Sequence, residues 1–343
     1  MATERLMSPD TLPAEIDQAG NALRPSRIEE YIGQRELIER LSIAIEAGQQ
    51  RSEPMEHVLL HGPPGLGKTT LAHVIANEMG SKVHATSGPA LARGTDLVAT
   101  LTRLEANDVL FIDEIHRLPV AVEEFIYPAM EDFRIDVTID SGLHAQTVQI
   151  KCKPFTLIGA TTRAGLLSSP LRSRFGLVHH LRYYENDDLL RILLRSAGIL
   201  GMRTPCETSM LLIASRSRGT PRIANRLLRR VRDYADVRAS GEVSVAVVEQ
   251  ALSLEGIDEL GMDELDRAYL GTIASTYSGG PVGLEAVAAT MNQDVGTLED
   301  VVEPFLLQNG FLARTKRGRM LTKAAADHLG VKAPAIGDDA LFE

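Results

Sequence analysis

The sequence predicts an α/β protein with three parts: a parallel sheet domain, a small all-helical lid domain and a C-terminal winged-helix domain. Between residues 34 and 181, short apolar runs alternate with segments of helical periodicity, the pattern of a doubly wound α/β sheet. Helical periodicity alone follows, and then three short helices with a hairpin. We therefore predict domains at 1–184, 185–255 and 258–337, with a hairpin inserted at about 133–151 and a linker at 256–261.

Length and composition limit the class of protein. A chain of 343 residues, 44% of them hydrophobic, is long enough for two or three folded domains. No apolar run reaches the length of a membrane span and no signal-peptide core is present, so we expect a cytoplasmic location. The cysteines, Cys152 and Cys206, lack the spacing of a zinc site or a disulfide framework. A net charge of −10 argues against bulk coating of nucleic acid, although it permits a local basic patch.

A phosphate-binding loop is the strongest motif. Residues 62–69, Gly-Pro-Pro-Gly-Leu-Gly-Lys-Thr, satisfy the pattern G-x-x-x-x-G-K-[ST] between an apolar strand and a helix. The glycines allow successive backbone N–H groups to point inward as an anion nest, and the helix N-terminus adds a positive dipole. Lys68 is expected to reach the β- and γ-phosphates, and the Thr69 hydroxyl to hold Mg²⁺. An ordinary Gly/Pro turn is the alternative, but the complete octet and both flanking elements argue against it.

Polar residues follow two of the predicted core strands. The apolar run that begins at Val109 ends in Asp113 and Glu114, close to where the phosphate loop would lie. Asp113 is placed to hold Mg²⁺ through water, and Glu114 to orient and polarise the attacking water. Alone, such a pair would more often be a solvated strand end; the upstream phosphate loop favours catalysis. Residues 161–163 end another strand, where polar side chains can contact the γ-phosphate.

Two further segments are candidates for contact with macromolecules. Residues 133–150 alternate apolar and polar side chains around a turn, which predicts a β-hairpin without a neighbour in the parallel sheet. It is expected to project as a docking surface, although a packed edge hairpin is equally compatible with the pattern. Near the C-terminus no acid occurs between Pro304 and Ala326. The basic residues of this second segment are Arg314, Lys316, Arg317, Arg319 and Lys323.

Together these motifs resemble the AAA+ ATPases, and more narrowly the RuvB family of DNA motors. The general resemblance is carried by the phosphate loop, the acids 113–114, residues 161–163, Ser173-Arg174-Phe175 and Gly219-Thr220-Pro221-Arg222. The narrower resemblance to the RuvB family is carried by residues 23–34, residues 158–165 and the C-terminal wing. This resemblance extends from about Leu23 to Val331. It implies an ATP-hydrolysing helicase that drives branch migration of Holliday junctions in homologous recombination, DNA repair and the SOS response to DNA damage, as a homohexameric ring.

The resemblance also implies the roles of individual residues in an ATP and Mg²⁺ site. The catalytic positions match Lys68, Asp113, Glu114, the first sensor Thr162, the arginine finger Arg174 and the second sensor Arg222. The nucleotide-binding positions match Leu23, Arg24, Tyr31, Ile32, Gly65, Gly67, Lys68, Thr69, Thr70, Arg174, Tyr184 and Arg222. Metal ligands are implied at Thr69 and Asp113. The finger is implied to act on the neighbouring subunit's nucleotide, and the neighbour's Glu131, Asp132 and Phe133 to lie close to that nucleotide.

Partners are implied in the same way. The inserted hairpin matches the element that binds RuvA, with apolar contacts at Ile135, Val137, Ile139 and Leu143. Positions that touch DNA phosphate match Arg314 and Arg319, without recognition of base sequence, and a larger complex would include the resolvase RuvC. One position departs from the family, because Val295 stands where members often carry an arginine before the turn at Thr297.

Two other AAA+ classes are alternatives. Sliding-clamp loaders typically carry a cysteine after the finger and often a zinc module, whereas Phe175 follows Arg174 here and cysteine clusters are absent from the sequence. Protein remodellers use an aromatic pore loop, and we identify none between Gly88 and Asp96. The basic wing favours DNA over both alternatives.

Overall fold

The computed structural model describes residues 22–139, 146–203 and 205–331. The described residues form two compact units: residues 22–192 group with 220–222, and residues 193–219 group with 223–331. Within these ranges, none of the helices combines the length and the apolar character that crossing a membrane requires.

A parallel sheet forms the centre of the first unit. Its strands are β1 Val58–His61, β2 Val83–Ser87, β3 Val109–Asp113, β6 Thr156–Thr161 and β7 Leu177–His180, in the order β2-β3-β6-β1-β7. All four pairings are parallel. The central strands β1, β3 and β6 are buried along most of their length, because a parallel sheet is covered on both faces. This confirms the predicted α/β class.

The helices of this unit follow the predicted periodicity. They are α1 Arg35–Arg51, α2 Lys68–Met79, α3 Gly94–Leu101, α4 Val120–Asp132 and the short α5 Ser169–Arg172; α6 Asn186–Ile199 continues into the second unit. Helix α5 was not predicted, since four residues around a proline carry no period. Its N-terminus is capped by the Ser168 hydroxyl, which accepts from the Leu171 N–H at 3.3 Å.

The inserted hairpin consists of β4 Arg134–Ile139 and β5 Gln146–Lys151, paired antiparallel. Ile135 lies opposite Ile150, and its side chain is completely buried in the core of the first unit. The interpretation of Ile135 as an exposed partner contact is therefore wrong. Alternation places Ile135, Val137 and Ile139 on one face of the strand, but the base of the hairpin, directly after α4, packs against its own domain. Leu143 lies outside the described residues.

The second unit contains the helical lid and the winged helix. The lid comprises the end of α6 with α7 Glu207–Ser215, α8 Pro221–Arg238 and α9 Val245–Leu254. The winged helix comprises α10 Glu264–Thr276, α11 Leu284–Met291, α12 Val295–Thr297, a π-turn Leu298–Val302, α13 Glu303–Gln308, β8 Leu312–Thr315, β9 Gly318–Leu321 and α14 Lys323–Leu329. The predicted basic hairpin is confirmed as β8–β9, and α14 was not predicted.

Arg218 joins the lid to the winged helix within this unit. Its guanidinium is buried, hydrogen-bonds to the fully buried Asp266 and lies 4.3 Å above the Phe305 ring centroid. Its Nε donates to the Gly261 carbonyl at 3.0 Å. The His328 ring also contacts the Asp258 carboxylate at 2.9 Å. The predicted linker at 256–261 is thus a packed junction, which we call the Arg218 joint.

Candidate nucleotide-binding site and DNA-binding wing

The phosphate loop has the backbone conformation that its glycines predict. Gly62, Gly65 and Gly67 have φ values of 139°, 79° and 101°, in the region that other residues rarely adopt. Close packing adds a second constraint, because a Cβ on Gly67 would lie 2.7 Å from the Tyr31 hydroxyl. Helix α2 begins at Lys68, directly after the last glycine, so its N-terminal N–H groups face the loop. The result is a cradle for an anion.

Lys68 lies in this cradle without a carboxylate hydrogen bond. Its side chain is buried, and its Nζ donates to the carbonyls of Gly62 at 2.7 Å and Pro63 at 2.8 Å. Burial lowers the pKa of Lys68 to about 8, although the Asp113 carboxylate partly opposes this shift. A buried ammonium group that donates only to neutral carbonyls would form stronger, charge-assisted hydrogen bonds with a phosphate. The residues present therefore fit a nucleoside triphosphate.

The residues that resemble an adenine pocket meet beside the loop. The Tyr31 and Tyr184 hydroxyls are 3.0 Å apart, and Tyr184 donates to the Leu66 carbonyl at 3.4 Å. Burial raises the pKa of Tyr184 to about 12, so both hydroxyls keep their protons at neutral pH. Gly33 is required here, since a Cβ would lie 2.6 Å from the Tyr184 ring. Of the other predicted adenine-pocket residues, Leu23 is buried and Ile32 is partly exposed.

Of the two predicted sensor residues, Arg222 lies against the phosphate loop and Thr162 directly follows strand β6. The Arg222 N–H donates to the Gly65 carbonyl at 3.4 Å, which places this residue against the phosphate loop. Thr162 is exposed at the end of β6. The preceding Thr161 is fully buried, and its hydroxyl lies 2.9 Å from His116 Nδ1. His116 therefore connects the segment after the acidic pair to the end of β6.

The acidic pair ends β3 in an unusual conformation. Glu114 is in the left-handed region with φ 47°, and its N–H donates to Asp113 Oδ1 at 2.9 Å. Its carboxylate accepts from Arg117 Nη1 at 2.8 Å, and both side chains are about half exposed. Asp113 and Thr69 are the groups that would hold Mg²⁺ together with nucleotide phosphates and water. In the described residues no cluster of three or more histidine, cysteine, aspartate or glutamate side chains could hold a metal ion.

A second cluster is built around Arg174. Its guanidinium lies 4.3 Å from the Tyr127 ring centroid, and its Nη1 donates to the Pro170 carbonyl at 2.7 Å. Nε lies 3.1 Å from Glu131 Oε1, yet the Nε–H makes no hydrogen bond, so this ion pair is loosely aligned. The structure thus brings together the predicted finger and one residue of the predicted 131–133 segment.

The remaining residues of that segment have structural contacts of their own. Asp132 lies 3.3 Å from Arg134, and both are largely exposed. Phe133 ends α4 with φ 51° and packs edge-on against Phe155, with ring centroids 5.9 Å apart. Their predicted proximity to a neighbour's nucleotide stays a prediction.

The wing arginines share one buried carboxylate. Glu303 is completely buried and accepts from Arg319 Nε at 2.8 Å, Arg314 Nε at 3.0 Å and the Tyr269 hydroxyl at 2.5 Å. Burial alone would raise the pKa of Glu303, but these hydrogen bonds outweigh it and hold the pKa below its ordinary value. About a fifth of the Arg319 side chain is exposed, against 44% for Arg314. Lys316 and Arg317, at the tip of the wing, are exposed.

Sequence reasoning missed several residues of these clusters. Tyr127 and Glu123 are four residues apart on α4, a spacing that places them on one face, but nothing in the sequence connects that face to Arg174. Glu303 escaped attention for a similar reason, because its partners come from eleven and sixteen residues further along the chain.

Comparison with known proteins covers almost the whole described chain. The RuvB Holliday junction DNA helicase P-loop domain matches residues 23–181, the RuvB AAA lid domain 184–258 and the RuvB C-terminal winged helix domain 259–330. The Holliday junction branch migration complex subunit RuvB of Desulfosudis oleivorans is 57% identical over 311 residues, which are 91% of this chain and 90% of that protein.

Solved structures agree with these matches. The Thermotoga maritima RuvB Holliday junction branch migration motor is 50% identical, with a TM-score of 0.83 over 91% of this chain and 100% of that one. A lysine-to-arginine variant of the same protein gives the same score and identity over 91% and 99%. Because all three RuvB domain models match in order and the chain is 57% identical to a RuvB subunit over most of its length, it belongs to the RuvB family of AAA+ ATPases.

Proposed function

We propose that this protein is an ATP-driven motor for branch migration of Holliday junctions, and that it works as a hexameric ring with RuvA. One observation carries the proposal: the same chain combines a complete phosphate loop and acids at a strand end with a winged helix whose tip is basic. The Thermotoga maritima relative is named a Holliday junction branch migration motor, and the Desulfosudis oleivorans relative a subunit of the Holliday junction branch migration complex. The reaction is hydrolysis of ATP to ADP and phosphate, in the cytoplasm, where bacterial DNA lies.

The hydrolytic step needs positioning and charge stabilisation rather than covalent chemistry. Lys68 would leave its loop carbonyls for the β- and γ-phosphate oxygens, and Glu114 would orient the attacking water. The Glu114–Arg117 pair has to open for that role, and such an exposed pair is worth only about 0–1 kcal/mol. Mg²⁺, held through Thr69 and Asp113, would neutralise charge on the phosphates. Thr162 would contact the γ-phosphate or the water.

Two arginines would couple hydrolysis to conformation. Arg174 would act as the finger on the nucleotide of the neighbouring subunit, where a guanidinium stabilises the charge of the transition state. Arg222 would read the nucleotide from the start of α8, and its backbone contact with Gly65 supports this role. A cation at the first turn of a lid helix can translate the loss of a γ-phosphate into a change of lid angle.

The wing would hold duplex arms through phosphate. Arg314 offers an exposed guanidinium edge, and Lys316 and Arg317 extend the basic surface at the wing tip. Phosphate contacts carry no base sequence, which suits a motor that moves a junction through any sequence. A ring multiplies this small patch around one duplex, which reconciles local basicity with a chain of net charge −10. Val295, about one third exposed, offers no charge to that surface.

RuvA would bind the inserted hairpin. Val137 and Ile139 remain candidates together with Leu143, whereas Ile135 is committed to the domain core. RuvC would join through the assembled complex rather than through a motif of this chain.

The test is unwinding of a synthetic four-way junction with ATP, with and without RuvA, across a salt series. We expect junction movement that requires ATP, increases strongly with RuvA and declines as salt rises, because phosphate contacts release counterions. Vigorous ATP hydrolysis without junction movement under any of these conditions would favour a clamp-loader or remodelling function instead.

A further inference from the structure

The environment of Arg174 raises the question of what aims this side chain. An arginine on the surface is flexible, and a finger must present its planar donors within a narrow range of angles to act on a transition state. The partner at Glu131 is poorly suited to this task, because it is half exposed and the facing Nε–H makes no hydrogen bond to it. The Pro170 carbonyl fixes one terminal nitrogen, but a single bond leaves the plane free to rotate.

The Tyr127 ring fixes the remaining freedom. The guanidinium carbon lies 4.3 Å from the ring centroid, within the range of a cation–π interaction, so the ring face defines the plane in which the guanidinium is held. The Tyr127 hydroxyl donates to Glu123 Oε2 at 2.8 Å, and the Ser168 hydroxyl donates to the same atom at 2.5 Å. Glu123 is buried, so the ring is anchored at its far end.

These contacts form one hydrogen-bond network. Ser168 caps α5, which ends two residues before Arg174. The Ser168 hydroxyl also donates to the Glu123 carboxylate, which accepts from the Tyr127 hydroxyl. Burial, assisted by the Glu123 carboxylate, raises the pKa of Tyr127, so its hydroxyl stays protonated and continues to donate. The network therefore connects the backbone before Arg174 to the Tyr127 ring on which the Arg174 guanidinium lies.

We infer that Tyr127 is the positioning residue of the arginine finger: its ring aims Arg174 at the nucleotide of the neighbouring subunit, and the buried Glu123 anchors the ring. This inference rests on the proposed function, in which Arg174 acts in trans. Tyr127 contacts Arg174, Glu123 and Ser168, none of which belongs to the phosphate loop or the acidic pair. Its loss should therefore lower the turnover of the neighbour and leave the nucleotide affinity of its own subunit unchanged.

The experiment compares Tyr127→Leu with Tyr127→Phe, in the full chain. Leucine keeps apolar bulk but removes the aromatic face, and we expect kcat for ATP hydrolysis to fall about tenfold, a size within the range of cation–π energies. Phenylalanine keeps the face but loses the hydroxyl that anchors the ring to Glu123, so kcat should lie between those of the wild type and Tyr127→Leu. Nucleotide affinity and ring assembly should be the same in both variants and in the wild type. An unchanged kcat in Tyr127→Leu would overturn the inference.

Mixed rings decide in which subunit Tyr127 acts. A Lys68→Ala subunit has a dead nucleotide site and an intact finger, and an Arg174→Ala subunit has the reverse. If Tyr127 serves the finger, Tyr127→Leu regains turnover when mixed with Lys68→Ala and not when mixed with Arg174→Ala. The opposite pattern would assign Tyr127 to its own nucleotide site and overturn the inference alone. Failure of Lys68→Ala and Arg174→Ala to rescue each other would instead overturn the trans finger of the proposed function, and the inference with it.

Discussion

The arginines of the finger and of the wing are both paired with a carboxylate of their own chain, but in opposite environments. Arg174 faces Glu131, a side chain that is 55% exposed, without a hydrogen bond from Nε. Arg314 and Arg319 face Glu303, which has no exposed surface and accepts from both of them. An exposed ion pair contributes about 0–1 kcal/mol, whereas breaking a buried one costs about 3–5 kcal/mol.

The difference shows what each pair is built to do. Glu131 can release Arg174 at little cost, as a finger that must exchange its partner for a phosphate requires. Glu303 cannot release the wing arginines, so it fixes the shape of the wing and removes part of its positive charge. In the proposed function, the exposed edge of Arg314 and the residues at the wing tip would then bind DNA, and Arg319 would mainly support the fold of the wing.

The largest expected effect is on ATP hydrolysis, after removal of Arg174. Arg174→Ala should lower kcat for ATP hydrolysis by on the order of 10³-fold, because the transition state loses its guanidinium. The free energy of unfolding should fall by only about 1–2 kcal/mol, since a weak ion pair, one cation–π contact and one hydrogen bond are lost. Steady-state turnover and denaturant unfolding measure the two quantities. Arg314→Ala is the matched control: it should weaken binding of duplex DNA while basal turnover is kept. Turnover of Arg174→Ala at the wild-type rate would remove the finger from the mechanism.

The next effect is on stability of the wing. Glu303→Ala should lower the free energy of unfolding by about 3–5 kcal/mol, because two guanidinium groups and the Tyr269 hydroxyl lose a buried partner. Glu299, 42% exposed and 3.7 Å from Arg314, provides the matched control, and Glu299→Gln should cost less than about 1 kcal/mol. Denaturant or thermal unfolding distinguishes them. Equal effects of the two substitutions would contradict the contrast between a buried and an exposed pair.

The same carboxylate gives the wing a dependence on acid. The pKa of Glu303 in the folded protein lies below its ordinary value, so its contribution is complete above that value and is lost as the pH falls through the folded pKa. As the pH falls below the ordinary pKa of a glutamate, the wild type should therefore lose stability more steeply than Glu303→Gln, which has no charge to titrate; unfolding measured across this pH range compares the two.

The smallest effect belongs to the partner of the finger. Glu131→Gln should change the free energy of unfolding by less than about 1 kcal/mol, because Arg174 keeps its contacts with Tyr127 and the Pro170 carbonyl. Glu303→Gln should be measured under the same conditions, because the two variants place the same chemical change in an exposed and in a buried ion pair. A cost for Glu131→Gln as large as that for Glu303→Gln would show that exposure does not decide the strength of these pairs.

The parts of the site that were predictable are those that lie together in sequence. The phosphate loop needs eight consecutive residues, and Asp113 and Glu114 end one apolar strand, so local pattern alone placed them. Clusters assembled from distant segments were beyond that reach. The basic stretch is recognisable because no acid occurs between Pro304 and Ala326, yet Glu303, the residue just before it, neutralises two of its arginines. Alternation likewise grouped Ile135 with its strand neighbours, but burial depends on which part of the hairpin the domain covers.

The Arg218 joint has a mechanical consequence. Arg218 and Gly219 are consecutive residues in the left-handed conformation, and Arg222, which contacts the phosphate loop, follows three residues later. Because Arg218 is packed against Phe305 and paired with Asp266, the lid cannot turn without taking the winged helix along. One buried guanidinium therefore couples the lid to the winged helix. In the proposed motor, a rotation of the lid would carry the winged helix with it, and the stiffness of this joint would set how much of that rotation is transmitted to bound DNA.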